Sequence, residues 1–364
     1  MTMTTSATPI LRICAATLAL ALTAAGCDDG AVIDDDQAPV RFRDGDGTWG
    51  PGKLNTNFIG IDEKLPLNAI PLVDDPAAEV RLHAVWTDHC VDRRVGKSLT
   101  GLFYTSNLDG ALGIDVTDGD LDAATFKMWK KPWITCTVAG NEWEHTVWAV
   151  ITTKGGKSTN HYLMILDRGV DTLGNPVYEW GYYTGIGDLF NPSSYGHTCL
   201  EDQDPYADPL HHFHAHLIAD LGVESAPLRF VDAPDTIFLA CLSGAVGKTA
   251  SARWGYAPWT WGTDVHELAT HVAIADYCGD GTAYTQAGNK LTIRDQWAIN
   301  GYAPVAWEDE AAWDMDTMRA TCLTLPRDHA MRNGFTHLEC DGVPLPPCDD
   351  TMMAAAPMAT RLID

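Results

Sequence analysis

The histidines have the clearest capacity for chemistry. His211, His212, His214 and His216 fall within six positions, with Glu201, Asp202 and Asp204 just upstream. Imidazole and carboxylate are zinc ligands, and i,i+4 spacing on a helix puts two imidazoles on one face. The stretch from about Pro209 to Leu221 is punctuated as a helix. Asp208 is a good N-cap, Pro209 suits the first turn, Gly222 follows the end, and Leu210, Phe213, Leu217 and Leu221 keep helical spacing. On that helix His212 and His216 share the solvent side. They form a candidate zinc pair, and a metal-dependent hydrolase is the enzyme such a pair would serve. The competing reading is a surface helix with solvated histidines and His214 satisfied beside the apolar face.

Other strings look chemical and fail on spacing. His266-Glu267-Leu268-Ala269-Thr270-His271 is one residue too long for HExxH, and i,i+5 turns the two rings about 140° apart on a helix. Gly45 to Gly50 spells GxGxxG, but it lies among aspartates that would repel a pyrophosphate. Gly244 to Thr249 ends in Gly-Lys-Thr, yet Leu242 stands where a P-loop needs its first glycine. Asp118, Asp120 and Asp122 begin like a calcium loop, but Ala123 replaces the glycine and Trp129 the bidentate glutamate. No GxSxG elbow occurs, and none of these strings makes a recognised catalytic constellation.

One aromatic stretch suggests binding. Arg253, Trp254, Tyr256, Trp259 and Trp261 crowd a short segment punctuated by Gly255 and Pro258. Exposed, these rings would stack on sugars, which defines a glycan-binding alternative. Buried, they are core, and large aromatics are mostly buried.

The elements that position these residues belong to an exported chain. Met1 to Arg12 is free of acids, Ile13 to Ala25 is an apolar run of 13 residues, and Ala24-Ala25-Gly26 precedes Cys27. The run is too short to span a bilayer, which takes about 20 residues, and the layout is that of a secretory signal. It resembles a bacterial lipoprotein signal, with Ala24 where that box usually has Leu. The resemblance implies lipidation at Cys27 and anchoring in the cell envelope. Aspartates and glycines dominate the next thirty residues, as in an extended acidic tether. The chain holds 364 residues, 24 Lys and Arg against 49 Asp and Glu, and a formal charge of −25. That balance argues against a nucleic-acid partner and against a polybasic membrane patch. The membrane contact expected is the lipid anchor, with a protein or glycan as ligand.

Beyond Cys14 and Cys27 stand eight cysteines, namely Cys90, Cys136, Cys199, Cys241, Cys278, Cys322, Cys340 and Cys348. An even count in an exported chain reads as disulfides, and no CxxC pair argues for redox or zinc chemistry. Proximity favours Cys340 with Cys348. From about residue 58 the chain reads as strands. Val80 to Trp86 alternates, Thr146–Thr153 and His161–Leu166 flank Gly155-Gly156 as a hairpin, and Val177–Tyr183, Leu228–Val231, Thr236–Cys241 and Lys290–Arg294 add more. Helices are expected from about Val265 to Tyr277, with Asp264 and Glu267 as a capping box, and from about Asp309.

Ala275-Asp276-Tyr277-Cys278-Gly279-Asp280-Gly281 then closes the segment expected as a helix from about Val265 to Tyr277. With Phe238–Cys241, Gly244–Lys248, Trp254–Trp259, His266, Thr285, Gly288, Ile293, Asp295, Ala312-Trp313 and Cys322, it resembles the ADYC domain family over about residues 195–325. The family pattern carries cysteines where this chain has Thr249 and a residue around Ala269 and Thr270. The resemblance implies that one disulfide is absent and that Cys90–Cys136, Cys199–Cys241 and Cys278–Cys322 pair. The last would tie the two helices. It implies no reaction, and it makes Asp276 and Tyr277 structural.

The expected fold is therefore α+β with β dominant: antiparallel sheets, a few helices and disulfide staples. The expected divisions are a signal at 1–26, a tether at 27–57, a β-rich unit at 58–194, the ADYC-like domain at 195–325 and a C-terminal tail with a short Cys loop at 326–364. The expected function is an exported lipoprotein carrying a non-catalytic binding or structural module, with no catalytic residues and no cofactor beyond a possible zinc.

Overall fold

Runs of Val, Ile, Trp and Tyr without helix-period spacing favour strands, because branched and aromatic side chains pack well on a pleated surface. The structure, a computed structural model, describes residues 57–60, 79–99, 103–105, 114–128, 131–183, 196–199, 213–225, 227–285, 290–301 and 308–363. The signal, Cys27, the Gly45–Gly50 string and nearly all of the tether lie outside these residues.

The largest sheet has nine strands, formed by β1 (Asn57–Gly60), β2 (Glu79–Thr87), β5 (Phe103–Thr105), β10 (Val147–Lys154), β11 (Lys157–Val170), β12 (Pro176–Tyr183), β13 (Gly196–His197), β14 (His214–Ser225) and β15 (Leu228–Cys241). Their order is β1-β15-β14-β12-β11-β10-β2-β5, with β13 also on β12, and every pairing is antiparallel. A smaller sheet, in the order β4-β3-β9-β8, comprises β3 (Cys90–Asp92), β4 (Lys97–Leu99), β8 (Ala124–Met128) and β9 (Lys131–Val138). Its Cys90, Phe126, Ile134 and Cys136 join Trp143, Trp148 and Trp180 in one core. There Phe126, Trp143, Trp148 and Trp180 form a chain of tilted and edge-on rings, with centroids 6.2, 5.9 and 4.9 Å apart.

A ribbon of β6 (Val116–Thr117) and β7 (Asp120–Leu121) turns at Asp118-Gly119, both at positive φ as a tight primed hairpin requires. The second large sheet holds β16 (Lys290–Asp295), β17 (Glu308–Asp314), β18 (Arg319–Leu323) and β21 (Met358–Ile363), in the order β16-β21-β17-β18. A last ribbon pairs β19 (Glu339–Cys340) with β20 (Val343–Pro344). Five α-helices, α1 (Ala245–Ala250), α2 (Pro258–Trp261), α3 (Thr263–Ile274), α4 (His329–Arg332) and α5 (Asp350–Ala355), and a 3-10 helix at Gly140–Trp143 complete the elements described. The fold is thus β-dominant and antiparallel with few helices, as the sequence suggests.

Two expected helices are strands. Residues 214–221 belong to β14, because His-Phe-His-Ala-His-Leu also alternates with period two, and that alternation prevails. The segment from Asp309 lies in β17, where Ala311 and Trp313 face one core and Ala312 another. Residues 326–364, expected as a tail, supply β21, an inner strand between β16 and β17. The division at 194/195 runs through the nine-stranded sheet, whose β12 pairs with β14.

The cystines are Cys90–Cys136, Cys199–Cys241, Cys278–Cys340 and Cys322–Cys348. The first two are the expected pairs. The expected Cys278–Cys322 and Cys340–Cys348 bridges are replaced by an exchange of partners. Cys322 pairs with Ala312 next to a register shift between β17 and β18 and joins Ala312, Met353 and Cys348, whereas Tyr277 beside Cys278 packs with Trp313 and Ala311.

Candidate functional site

Helix α3 begins at Gly262, whose φ of 89° directs the chain into it. Glu267 makes no capping box with Asp264. It reaches instead across to strand β15, where its Oε1 accepts the Phe230 amide at 3.0 Å. Burial raises the affinity of this carboxyl for its proton. Ten of the helix's residues are buried, from Val265 through Ile274.

The helix meets α1 in a close contact. A Cβ at Gly247 would lie 2.3 Å from the carbonyl oxygens of both Ala240 and Cys241, so glycine lets α1 rest on the end of β15. The Gly-x-x-Gly-Lys string therefore serves helix–strand packing, and its Lys248 is buried. Thr249 and Thr270 face each other with hydroxyls 3.2 Å apart.

Each letter of the ADYC string has a structural use. Ala275 adopts the left-handed conformation that ends α3, with its N–H turned back to His271 and Val272. Asp276, fully buried, accepts the amides of Asp280 and Gly281 at 3.1 and 2.8 Å and holds His271 Nδ1 at 2.9 Å. Tyr277 donates its hydroxyl to Glu310 at 2.7 Å and accepts the Arg327 amide at 2.8 Å. Its ring stacks with Tyr284 and Trp313, each at 5.5 Å. Burial pushes the Tyr277 hydroxyl far above its ordinary range. Arg327 closes the network with Nε and Nη2 on Glu310 at 3.0 and 3.1 Å and Nη1 on the Ala273 carbonyl. Cys278 is bridged to Cys340.

This buried network was only half legible. Asp276 and Tyr277 stand out in the sequence as structural. Glu310 and Arg327 do not, since nothing local distinguishes them from surface charges; the distant partner alone makes them core residues.

His211 and His212 lie outside the described residues. His216 is fully buried in β14, with Nδ1 on the Pro176 carbonyl at 2.8 Å and its ring edge-on to Trp259. It is therefore not on a solvent side. His266 and His271 point to different partners, Val246 O for the former and Asp276 for the latter. Burial holds the His266 imidazole down at about 4, so it is neutral. Asp120 is bound by Arg168 and Tyr178, and Asp122 by Thr117, so this ribbon makes a hairpin, not an EF-hand loop. Among the described residues no three His, Cys, Asp or Glu side chains are placed to hold a metal ion. In the aromatic stretch Tyr256 is core, Trp254 and Trp259 are partly buried against core, and Trp261 is exposed.

These features define a disulfide-stapled antiparallel β protein in which one short string ties a helix, a turn and a second sheet together. The family model of the ADYC domain matches residues 176–329, and the chain carries that domain. No curated protein and no solved structure matches this chain. Four cystines accord with an exported protein. Among the described residues no helix is long and apolar enough to cross a membrane.

Proposed function

We propose that this protein is an exported lipoprotein, anchored through Cys27, whose ADYC domain is a non-catalytic binding or structural module of the cell envelope. The observation that carries the reading is the use made of the ADYC side chains. Asp276, Tyr277, Glu310 and Arg327 are wholly buried and bonded to one another, to backbone or, for Asp276, to the buried His271 as well. Groups committed in this way build a scaffold and present no nucleophile, base or ligand to a substrate. Cystines in both the first and second sheets support service outside the cytoplasm.

The test has two arms. Cells expressing the full chain should incorporate radiolabelled palmitate, and Cys27→Ala should abolish both the label and membrane fractionation; an unlabelled, freely soluble protein would overturn the anchor. Purified protein should be free of stoichiometric metal. Zinc that copurifies in stoichiometric amount and is lost in His212→Ala/His216→Ala would replace this reading with the hydrolase.

A further inference from the structure

The small sheet reverses the charge of the molecule. Across β3, β4, β8, β9 and the β3–β4 turn stand Arg93, Arg94, Lys97, Lys127 and Lys131, all exposed, against a single acid, Asp92. The chain as a whole carries −25. A whole-chain sum therefore hides a local basic surface.

The register gathers this charge at one end. Antiparallel pairing sets Asp92 opposite Lys97 and Ile134, and Met128 opposite Lys131, so the β3–β4 turn lies at the same end of the sheet as the last residue of β8 and the first of β9. The acids that border the sheet, Asp88, Asp122 and Glu142, lie by the opposite end, where Thr137 N meets His89 O and Ala124 pairs with Val138. Arg94 bonds to Asp92 and lies 4.0 Å over the Trp133 ring, while Arg93 is held by the Thr135 hydroxyl at 2.9 Å. Apolar side chains stand among the cations. Val95, on the turn, is 62% exposed and Val91 is 38% exposed.

We propose that this end of the small sheet docks on an anionic phospholipid surface. Cations next to a negatively charged bilayer are attracted within a Debye length, and an exposed aliphatic residue between them gains by entering the interface. The acidic remainder is repelled by the same surface, so the contact fixes an orientation with the β3–β4 turn towards the lipid. An acidic protein partner would match the charge but gives less reason for a bare valine at the tip of a turn. The inference stands apart from the anchor at Cys27, because the test removes that residue.

The mature chain with Cys27→Ala is sedimented with vesicles of phosphatidylcholine alone or mixed with phosphatidylglycerol. Binding should require phosphatidylglycerol and fade as salt is raised to about 0.5 M. Lys127→Glu/Lys131→Glu should weaken it at least about tenfold. Val95→Asp should weaken it at an unchanged melting temperature, and Lys157→Glu, at the exposed start of β11, should leave it intact. Equal binding to both vesicles, or wild-type binding by the charge-reversed variant, would overturn the proposal. So would binding of soluble polyphosphate as tight as that of vesicles, which would mark a general polyanion site.

Discussion

Tyr277 stands between a carboxylate and a backbone amide that have no route to water, and this fixes what its hydroxyl contributes. Tyr277→Phe keeps the stacked ring but takes one partner from Glu310 and one from the Arg327 amide. A buried group left short of a partner costs about 1–3 kcal/mol, so the variant should unfold at lower urea with an unchanged m-value. His266 makes a pH-dependent contribution of the opposite kind. Its imidazole is held at about 4 in the fold, against an ordinary 6.5. Between those values the unfolded chain takes up a proton and the native chain does not, so acidification favours unfolding. The stability present above about pH 6.5 should fall by about 3 kcal/mol on reaching pH 4. Urea titrations of wild type and His266→Gln across that range isolate the effect: the two should converge as the pH drops, and parallel curves would refute the assignment.

At the scale of elements, the contact between α1 and its neighbours is the most exacting. Gly247→Ala places a methyl against two backbone carbonyls, neither of which is the free end of a flexible side chain. The helix must lift, and we expect a loss of about 3 kcal/mol by chemical denaturation. The same interface offers a gain. Thr249→Cys/Thr270→Cys replaces two facing hydroxyls with thiols. Oxidised, the pair should resist alkylation and stabilise the protein by about 3 kcal/mol, in line with a closed loop of some twenty residues. Helix α3, the Gly155-Gly156 hairpin and the first two cystines were legible in the sequence, because each rests on signals within reach of one another or on the order of the family motifs. The strand β14 was not. Leu210, Phe213, Leu217 and Leu221 give a helical period, Phe213, Ala215 and Leu217 a strand period, and only the neighbours β12 and β15 decide between them. The exchange of cystine partners is similar. Which face of a sheet Cys322 occupies depends on the register of β17 with β18, and no local residue reports that register.

At the scale of the whole molecule, the domain matched over residues 176–329 is not a separable piece. Its β12, β14 and β15 share a sheet with β1, β2 and β10, and its β16, β17 and β18 need β21. A chain stopped after residue 329 lacks Cys340 and Cys348 as well as β21. It should expose two alkylatable thiols, at Cys278 and Cys322, and be cut by protease within 290–323 at concentrations that spare the full chain; a resistant fragment with no free thiol would show that the second sheet closes without β21. The inner place of β21 also sets a clock. Strands β16, β17 and β18 are synthesised first, yet β16 and β17 touch only through a strand made some forty residues later. Until that strand arrives the sheet stays open on both sides of the gap. Closure of the sheet waits for the last segment of the chain, and Cys278 and Cys322 gain their partners Cys340 and Cys348 only as that segment is made.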